Sequence, residues 1–461
     1  MKNLLMMVIA VAYGFLLFPP GAWAGKNPSA GNGAPPTFNR EVVNILQSNC
    51  QVCHHPGDIA PFSLMTYAEA APRAQAIKRA TERRIMPPWK PADGCGELQD
   101  VRRLSDKDID ILARWADAGA PEGDDDPPPP LEFPDGWTLG EPDVALDPGA
   151  DYSPNPLLTD DYHCFTMPTN FTEDRWLSAV DIRPGVRSQV HHVLLFVDPT
   201  GRSADLEKYP GSGYTCFGGP EVPVIDILGG WAPGARSRFL PEGIGQFVPA
   251  GSRIIMQVHY HPQGPIQPDR TRLGAYLAQG PVDKRFYMLP ILDQSFLIPA
   301  GNPRYRVNRQ LRLPADLHGL SAAPHMHLLG KEMEVKAILP DGQEQCLINI
   351  DDWDFNWQGN YFFANSVAFP LGTKLDVTAY YDNSEGNPRN PSRPPIDVRW
   401  GERTVDEMFL AFLGITIDGE KLGDARWKKS PELEDLLKPV NAMGAPMGIH
   451  QNENGDHSSH H

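Results

Sequence analysis

The sequence has few basic residues relative to acidic ones. It contains 41 Lys and Arg against 58 Asp and Glu, which gives a formal net charge of −17. An acidic surface repels the phosphates of nucleic acids and the headgroups of anionic membranes. We therefore expect neither nucleic acid nor a membrane surface among the partners of the protein.

Long hydrophobic runs are missing after the first residues. The stretch MKNLLMMVIAVAYGFLLFPPGAWAG has a positive start at Lys2, an apolar core from Leu4 to Phe18 and an Ala-x-Ala site ending at Ala24. This order is typical of a secretory signal peptide, and the core is shorter than the ~20 residues of a spanning helix. A signal anchor is the alternative. We predict a signal peptide over residues 1–24, no membrane insertion, and a periplasmic or secreted protein.

The chain changes its pattern near residue 125. From residue 37 to 125 the apolar spacing is helical, and Ser105 and Asp108 have the spacing of a helix capping box. The segment GDDDPPPPLEFPDG predicts a stiff linker over residues 126–152. Beyond it, runs such as VHHVLLFV, RIIMQVHYH and KLDVTAYYD alternate with turn clusters, which predicts strands. A break near residue 285 divides this part into two predicted β halves.

Cysteine is scarce, with six residues in the whole sequence. Cys50, Cys53 and His54 form CQVCH, a C-x-x-C-H motif. In such a motif the two thiols attach a haem covalently and the His supplies an axial nitrogen. A disulfide or half of a zinc site is the alternative. The predicted signal peptide and the helix that leads into the motif favour haem c.

A haem iron held by His54 needs a sixth ligand. Met86 lies in RRIMPPWKP, where two prolines fix the loop, and a thioether ligand suits electron transfer. Met65, in SLMTY, is the alternative. With these features, residues 37–125 resemble a small class I cytochrome c domain.

The remaining four cysteines allow three disulfide pairings in an oxidising compartment. Cys164 and Cys216 lie in the same predicted β half, so we predict a disulfide between them. Cys95 and Cys346 are then either free or a bridge between the haem region and the β region.

Histidines occur as close pairs in VHHVLLF, MQVHYH and PHMHLLGKEM. Side chains two residues apart on a strand share a face, whereas adjacent ones do so only at a bulge or a strand end. Imidazole binds zinc, copper, iron and nickel. The sequence shows no HExxH motif of a zinc hydrolase and no Cys with flanking His that would indicate blue copper. The pairs predict metal binding but leave the metal open.

The order of six motifs resembles one known family. YHCFTMP, VHHVLLF, GGWAPG, MQVHYH, PHMHLLGKEM and VDEMFLAF follow one another as in the copper type II ascorbate-dependent monooxygenases, over roughly residues 153–420. That family includes peptidylglycine α-hydroxylating monooxygenase and dopamine β-monooxygenase. The resemblance implies two antiparallel β-sandwich domains, each holding one copper ion, that face each other across a solvent cleft.

The resemblance also implies two ligand sets. The first copper would be held by His191, His192 and His259, with His261 as an alternative to His259. The second would be held by a set with a soft sulfur ligand, which favours Cu(I); its members are His325, His327 and Met408. His163 and His318 fit no motif, and we expect structural roles for both.

Three positions depart from the peptide-hydroxylating members of that family. Those enzymes have an arginine two residues before the H-x-H pair, where this sequence has Ala323. They also have an asparagine and a tyrosine just after the ligand methionine, where this sequence has Leu410 and Phe412. A peptide carboxylate would find no clamp here, so we expect a small apolar substrate.

Together these expectations define a multidomain fold class. A small all-α cytochrome c domain over residues 37–125 precedes two antiparallel, jelly-roll-like β-sandwich domains. The first copper domain is expected over residues 153–285 and the second over 286–425, with a polar tail over 426–461.

The implied function is that of a copper-dependent monooxygenase, which hydroxylates a C–H bond of a small-molecule substrate with O2. Its cofactors would be two copper ions and one covalently bound haem c. An external donor would deliver electrons through the haem, which takes the place of ascorbate. The alternative is a non-catalytic copper-binding or electron-transfer protein.

Overall fold

A computed structural model describes residues 34–133, 136–261, 264–422 and 429–442. The predicted signal peptide lies outside the described residues, as does the end of the predicted tail from residue 443 on. Within these ranges no helix has both the length and the apolar character that crossing a bilayer demands. From Pro36 on, the described chain forms one compact unit.

Helices in the described chain are short and lie mainly before residue 120. A π-helical turn leads into the first α-helix, and two 3-10 turns occur further along the chain. In chain order the elements are the π-turn Phe38–Val42, α1 (Val43–Asn49), α2 (Tyr67–Ala70), the 3-10 turn Ala71–Arg73, α3 (Ala74–Glu82), α4 (Asp106–Asp117), the 3-10 turn Arg202–Leu206 and α5 (Pro431–Ala442).

Helix α4 begins where the sequence predicts it. The Ser105 side chain accepts a hydrogen bond from the Asp108 backbone N–H at 3.1 Å, which satisfies a donor that the helix itself cannot pair. Leu112, Trp115 and Ala116 are buried on one face of the helix. With Phe38 they belong to a small core that the N-terminal helices share.

Two five-stranded sheets follow and pack against each other. Their shared core includes Leu177, Val193, Met256 and Leu273. One sheet has the order β1 (Val144–Leu146), β9 (Arg272–Leu277), β3 (Arg175–Arg183), β7 (Ile244–Val248) and β10 (Lys284–Arg285). The other has the order β5 (Tyr214–Thr215), β2 (Asp161–Pro168), β8 (Arg253–Tyr260), β4 (Val190–Asp198) and β6 (Ile227–Trp231). We call these sheets the first pair.

Two four-stranded sheets form a second pair around a core that includes Leu289, Val335, Val377 and Leu413. One has the order β11 (Tyr287–Leu292), β20 (Leu410–Ile417), β14 (Leu317–His325) and β17 (Tyr361–Phe369). The other has the order β13 (Tyr305–Arg312), β18 (Lys374–Tyr381), β15 (Gly330–Ile338) and β16 (Glu344–Ile350). A short ribbon joins β12 (Leu297–Ile298) to β19 (Val398–Arg399).

An apolar cluster joins the two pairs of sheets. The chain passes from β10 to β11 at Phe286, which is buried together with Phe196 of the first pair and Met288 and Leu320 of the second. The two pairs therefore share packed side chains.

The predicted disulfide between Cys164 and Cys216 is confirmed, and Cys95 pairs with Cys346. The second bond ties the N-terminal region to β16 across a sequence separation of 251. Backbone bridges support the same contact, since Pro91 pairs with Ile350 and Leu98 with Phe363.

The predicted fold class is therefore wrong in its division of the chain. The described molecule is mostly β, and its first helices do not form a separate all-α cytochrome c domain. They belong to the same compact unit as the sheets, and residues 91–98 pair with strands of the second pair. Helical periodicity reports local structure only, and pairing between residues more than 200 positions apart leaves no local signal.

Candidate functional site

Three predicted metal ligands meet at one end of β4 and β8. The two strands pair in antiparallel fashion, and the register shifts between Val190 and His192, so His191 is an extra, bulged residue. A bulge re-aims a side chain. His192 lies directly opposite His259. The bulge therefore allows His191 and His192 to reach the same space as His259.

The Nδ1 atoms of these three histidines converge. Nδ1 of His192 is 3.2 Å from Nδ1 of His191 and 3.4 Å from Nδ1 of His259. The ligand atoms of the three residues all lie within 4.8 Å of one another. At most one proton can lie between two nitrogens this close, so at least one nitrogen of each close pair directs a lone pair at the other. The three rings therefore direct lone pairs into the space between them. We call His191, His192 and His259 the first set.

Asp160 fixes the orientation of His259. Its Oδ1 lies 2.9 Å from Nε2 of His259 and 3.3 Å from Nδ1 of His261, and it accepts a hydrogen bond from Oγ1 of Thr404 at 2.6 Å. A histidine that donates one N–H to a carboxylate keeps its other nitrogen free for a metal. Asp160 thus presents Nδ1 of His259 to His192, and through Thr404 it links the two pairs of sheets.

The predicted second ligand pair lies at the end of β14. Nδ1 of His325 is 2.6 Å from Oε1 of Gln358, and Gln358 donates in turn to the Phe355 carbonyl at 2.8 Å. Nδ1 of His327 is 3.2 Å from the Asp406 carbonyl. Both acceptors require a proton on Nδ1, so each ring keeps a lone pair on Nε2.

Met408 lies beside this pair of histidines. His325 is opposite Leu410 in the β14–β20 register, and extending that register by two residues places Met408 opposite His327. Met408 is 6% exposed. The two histidines and Met408 all line the same cavity, and we call them the second set.

The buried carboxyl group of Glu407 holds the backbone of the second set. It accepts hydrogen bonds from the backbone N–H groups of His327, of Leu329 at 2.9 Å and of Met408 at 2.8 Å. Burial raises the pKa of Glu407 to about 8, although these hydrogen bonds lower it. This single side chain joins the turn after β14 to the residues before β20.

The two sets are neighbours in this structure. The rings of His192 and His325 have centroids 6.4 Å apart. Phe355 stacks on His191 at 4.5 Å and meets His327 edge-on at 5.7 Å. The expected solvent cleft between two separate copper sites is thus not the arrangement here, because an aromatic ring and direct ring contacts occupy that space.

The imidazoles of both sets are neutral at physiological pH. Burial, followed by the charge of His259, lowers the pKa of His191 to about 2. Burial also lowers the pKa of His325 to about 4 and that of His327 to about 3. Metal binding requires neutral imidazole, so these rings are in the protonation state that a metal would need.

A cavity of about 730 Å³ opens beside both sets. Ala323, Leu410 and Phe412, the positions where the sequence departs from the peptide-hydroxylating enzymes, line it together with Met288. Glu402 lines it as well, and burial, reinforced by Asp406, raises its pKa to about 7. The part of the cavity near β20 is therefore apolar, as the sequence indicates.

The C-x-x-C-H motif follows helix α1. Both Cys50 and Cys53 are free thiols, and burial raises the pKa of Cys50 to about 12. Nδ1 of His54 lies 3.1 Å from the Phe62 carbonyl. This contact places the proton on Nδ1 and leaves Nε2 of His54 with a lone pair.

The contacts of the other predicted positions do not set them apart as ligands. Met86 and Met65 are both half-buried, so the choice of Met86 as the sixth haem ligand stays a prediction. His261 contacts Asp160, whereas His259 is the one beside His192. His163 stacks on Tyr152 at 3.8 Å and His318 pairs with Asp418 at 2.6 Å.

Sequence reasoning missed the residues that orient the ligands. Asp160 lies two positions before the tyrosine of YHCFTMP, and Glu407 is next to Met408, so both had a motif nearby that could have indicated them. Gln358 and Phe355 lie in the segment DDWDFNWQGN, which matches no motif. Only folding brings that segment to the histidines.

No protein-family model matches the chain, and no curated protein matches it. Among solved structures, the VP2 subviral particle of infectious bursal disease virus is 9% identical with a TM-score of 0.17, covering 61% of this chain and 73% of that chain. PNGF-II is 10% identical with a TM-score of 0.25, covering 59% of this chain and 65% of that chain. Likenesses of this size carry no argument about fold or function.

Proposed function

We propose that the protein is a copper-dependent monooxygenase that hydroxylates a C–H bond of a small apolar molecule with O2. The observation that carries the proposal is that two inequivalent histidine sets reach one cavity, the first through His192 and the second through His325, His327 and Met408. The first set offers three imidazoles. The second offers two imidazoles and a thioether that line the same cavity.

The residues fit copper. Imidazole is a good ligand for copper, and thioether sulfur selects Cu(I) over harder ions. The first set would hold one ion through His191, His192 and His259, and the second would hold another through His325, His327 and Met408. When bound, the copper ions would supply electron storage and oxygen activation, which side chains cannot provide.

The residues around Cys50 also fit a haem c. Two unpaired thiols lie next to a histidine whose Nε2 is free, which is the donor set that covalent haem attachment uses. Met86, with Met65 as the alternative, would supply the opposite ligand. The haem would provide the route by which an external donor reduces the protein.

The chain itself would bind the substrate, orient it and limit its contact with water. Leu410 and Phe412 offer an apolar wall beside the second set, and Ala323 leaves room where a larger residue would fill the cavity. The carboxyl group of Glu402, with a pKa near 7, can hold a proton at the same cavity. These features suit an uncharged substrate better than a peptide carboxylate.

Two disulfides support a location in an oxidising compartment. Combined with the predicted signal peptide, they favour the periplasm or secretion. The same compartment is where covalent haem attachment would be expected for a C-x-x-C-H protein.

The test begins with composition. We expect two copper ions and one haem per chain, with haem retained on the protein after acid-acetone extraction and detected as a pyridine haemochrome. Product analysis with small apolar substrates under 18O2 should then show one labelled oxygen per product. Copper and haem without any oxygen-dependent product would indicate the non-catalytic electron-transfer protein instead.

A further inference from the structure

Arg102 has a buried donor that lacks an acceptor. Its Nε is inaccessible to solvent and forms no hydrogen bond within the part of the chain that the structure describes. Burial, followed by the charge of Arg236, lowers the pKa of Arg102. A buried guanidinium N–H without a partner is costly, because its lost hydration is not replaced. Such a group indicates an anion that the protein itself does not supply.

Arg236 adds a second cation at the same place. It lies in the loop after β6, and the guanidinium of Arg102 packs against that loop: a Cβ added at Gly234 would be 3.4 Å from Nη1 of Arg102. Arg236 forms no hydrogen bond or ion pair with a described residue. Both arginines line the cavity.

A third arginine nearby has its charge balanced by a carboxylate. Arg238, two residues after Arg236, forms an ion pair with Asp100 and stacks on Phe362 at 4.5 Å. Its charge is therefore balanced by the chain. Among the described residues no carboxylate forms an ion pair with Arg102 or Arg236, and Asp100, which is close enough to raise the pKa of Arg102, is itself paired with Arg238.

Arg102 and Arg236 lie close to the C-x-x-C-H motif. The guanidinium of Arg187 lies 5.9 Å from the centre of the Trp231 ring, where β6 ends and the loop that carries Arg236 begins. Asp58 also lies 3.5 Å from Arg187, which precedes β4. The haem motif, the arginine pair and the strand that carries His191 and His192 are thus neighbours.

We infer that Arg102 and Arg236 bind the propionate carboxylates of a haem attached at Cys50 and Cys53, and so hold that haem at the wall of the cavity shared with the histidine sets. Guanidinium groups match carboxylates in shape and charge and bind them with two parallel hydrogen bonds. This inference rests on the proposed function, because it needs the haem. To that function the inference adds Arg102 and Arg236 as the residues that would orient the haem toward the two histidine sets.

A carboxylate could also come from a substrate. A substrate carboxylate would compete with added benzoate, whereas propionates of a covalently attached haem cannot be displaced from the protein. Benzoate titration of the haem-containing protein therefore separates the two sources.

The test uses the full chain with its haem. In Arg236→Gln we expect the ratio of Fe(II) to Fe(III) at a fixed potential to fall roughly tenfold, equivalent to about 59 mV for a one-electron couple. The ratio falls because a lost positive charge favours the ferric state. Arg236→Lys should restore most of it. Arg175→Gln, which removes an arginine paired with Glu173 whose side chain is 43% exposed, is the matched control and should not change the ratio.

Arg236 is exposed, so its replacement leaves no buried cavity and Arg236→Gln should fold. An unchanged potential with haem attached would overturn the inference alone. Benzoate that binds the wild type but not Arg236→Gln would also overturn it, in favour of a substrate carboxylate. Absence of covalent haem from the wild type would instead overturn the haem part of the proposed function.

Discussion

The imidazoles of the two histidine sets are neutral, yet different partners hold them. In the first set a carboxylate, Asp160, accepts from His259 at 2.9 Å. In the second set the acceptors are neutral oxygens, that of the Gln358 side chain for His325 and the Asp406 carbonyl for His327. A carboxylate behind a ligand raises its basicity and favours the higher metal charge. Neutral acceptors and a thioether favour Cu(I).

The difference teaches that an asymmetry between two candidate metal sites can be built into the residues that hold the histidines. The first set also uses Nδ1, and the second leaves Nε2 free. We expect the first site to hold copper in both oxidation states and the second to prefer Cu(I). A substitution behind one set should therefore alter that set and leave the other unchanged.

The largest expected effect comes from Glu407→Ala, which acts on the second set. Three buried backbone N–H groups would lose their acceptor, and we expect a loss of about 4 kcal/mol in the free energy of unfolding. Urea denaturation of the metal-free protein measures it. Glu432→Ala, an exposed position in α5, is the control and should change stability by less than about 0.5 kcal/mol. Equal stability of the two variants would show that Glu407 does not hold this turn.

Removing one ligand should empty one site. His192→Ala and His325→Ala should each lower copper from two ions to one per chain after dialysis, with affinity at the altered set reduced more than about 100-fold. His318→Ala, which removes an exposed histidine paired with Asp418, should keep both ions. If either ligand variant lost both ions, the sets would act as one site.

Asp160→Asn tests the carboxylate behind the first set. Asparagine keeps the shape but removes the charge, so copper affinity of the first set should fall by roughly 10- to 100-fold. Competition with a Cu(I) chelator measures it. Asp293→Asn, where the carboxylate accepts only from Ser295 among the hydrogen bonds observed, serves as the control. A loss confined to the second set would contradict the assigned role.

Gln358→Leu is the smallest change. It removes a neutral hydrogen bond worth about 1 kcal/mol, so copper affinity of the second set should fall roughly fivefold. The same competition assay applies, with Gln279→Leu, an exposed glutamine, as the control. A decrease as large as that of Asp160→Asn would mean that charge is not what distinguishes the two sets.

Features of the fold and of the site that depend on residues close in the sequence could be predicted, and features that depend on distant residues could not. Strands β4 and β8 follow from short motifs, because alternation is a local property. The Cys164–Cys216 disulfide was predicted because both cysteines lie in the same predicted β half. At His191 the sequence left a bulge or a strand end open, and the structure has the bulge. The packing of the N-terminal region against the second pair of sheets was not predictable, since residues 91–98 pair with strands far along the chain. Gln358 could not be found from the sequence, because its function arises only where folding places it beside His325.

The most direct test of the account is X-ray absorption at the copper edge of the reduced protein. It asks whether one of two copper ions has a sulfur neighbour. We predict a sulfur contribution from half of the copper in the wild type, its loss in Met408→Ala, and its presence on all remaining copper in His192→Ala. A sulfur contribution that persists in Met408→Ala, or a wild type with nitrogen neighbours only, would contradict the division into an imidazole site and a thioether site.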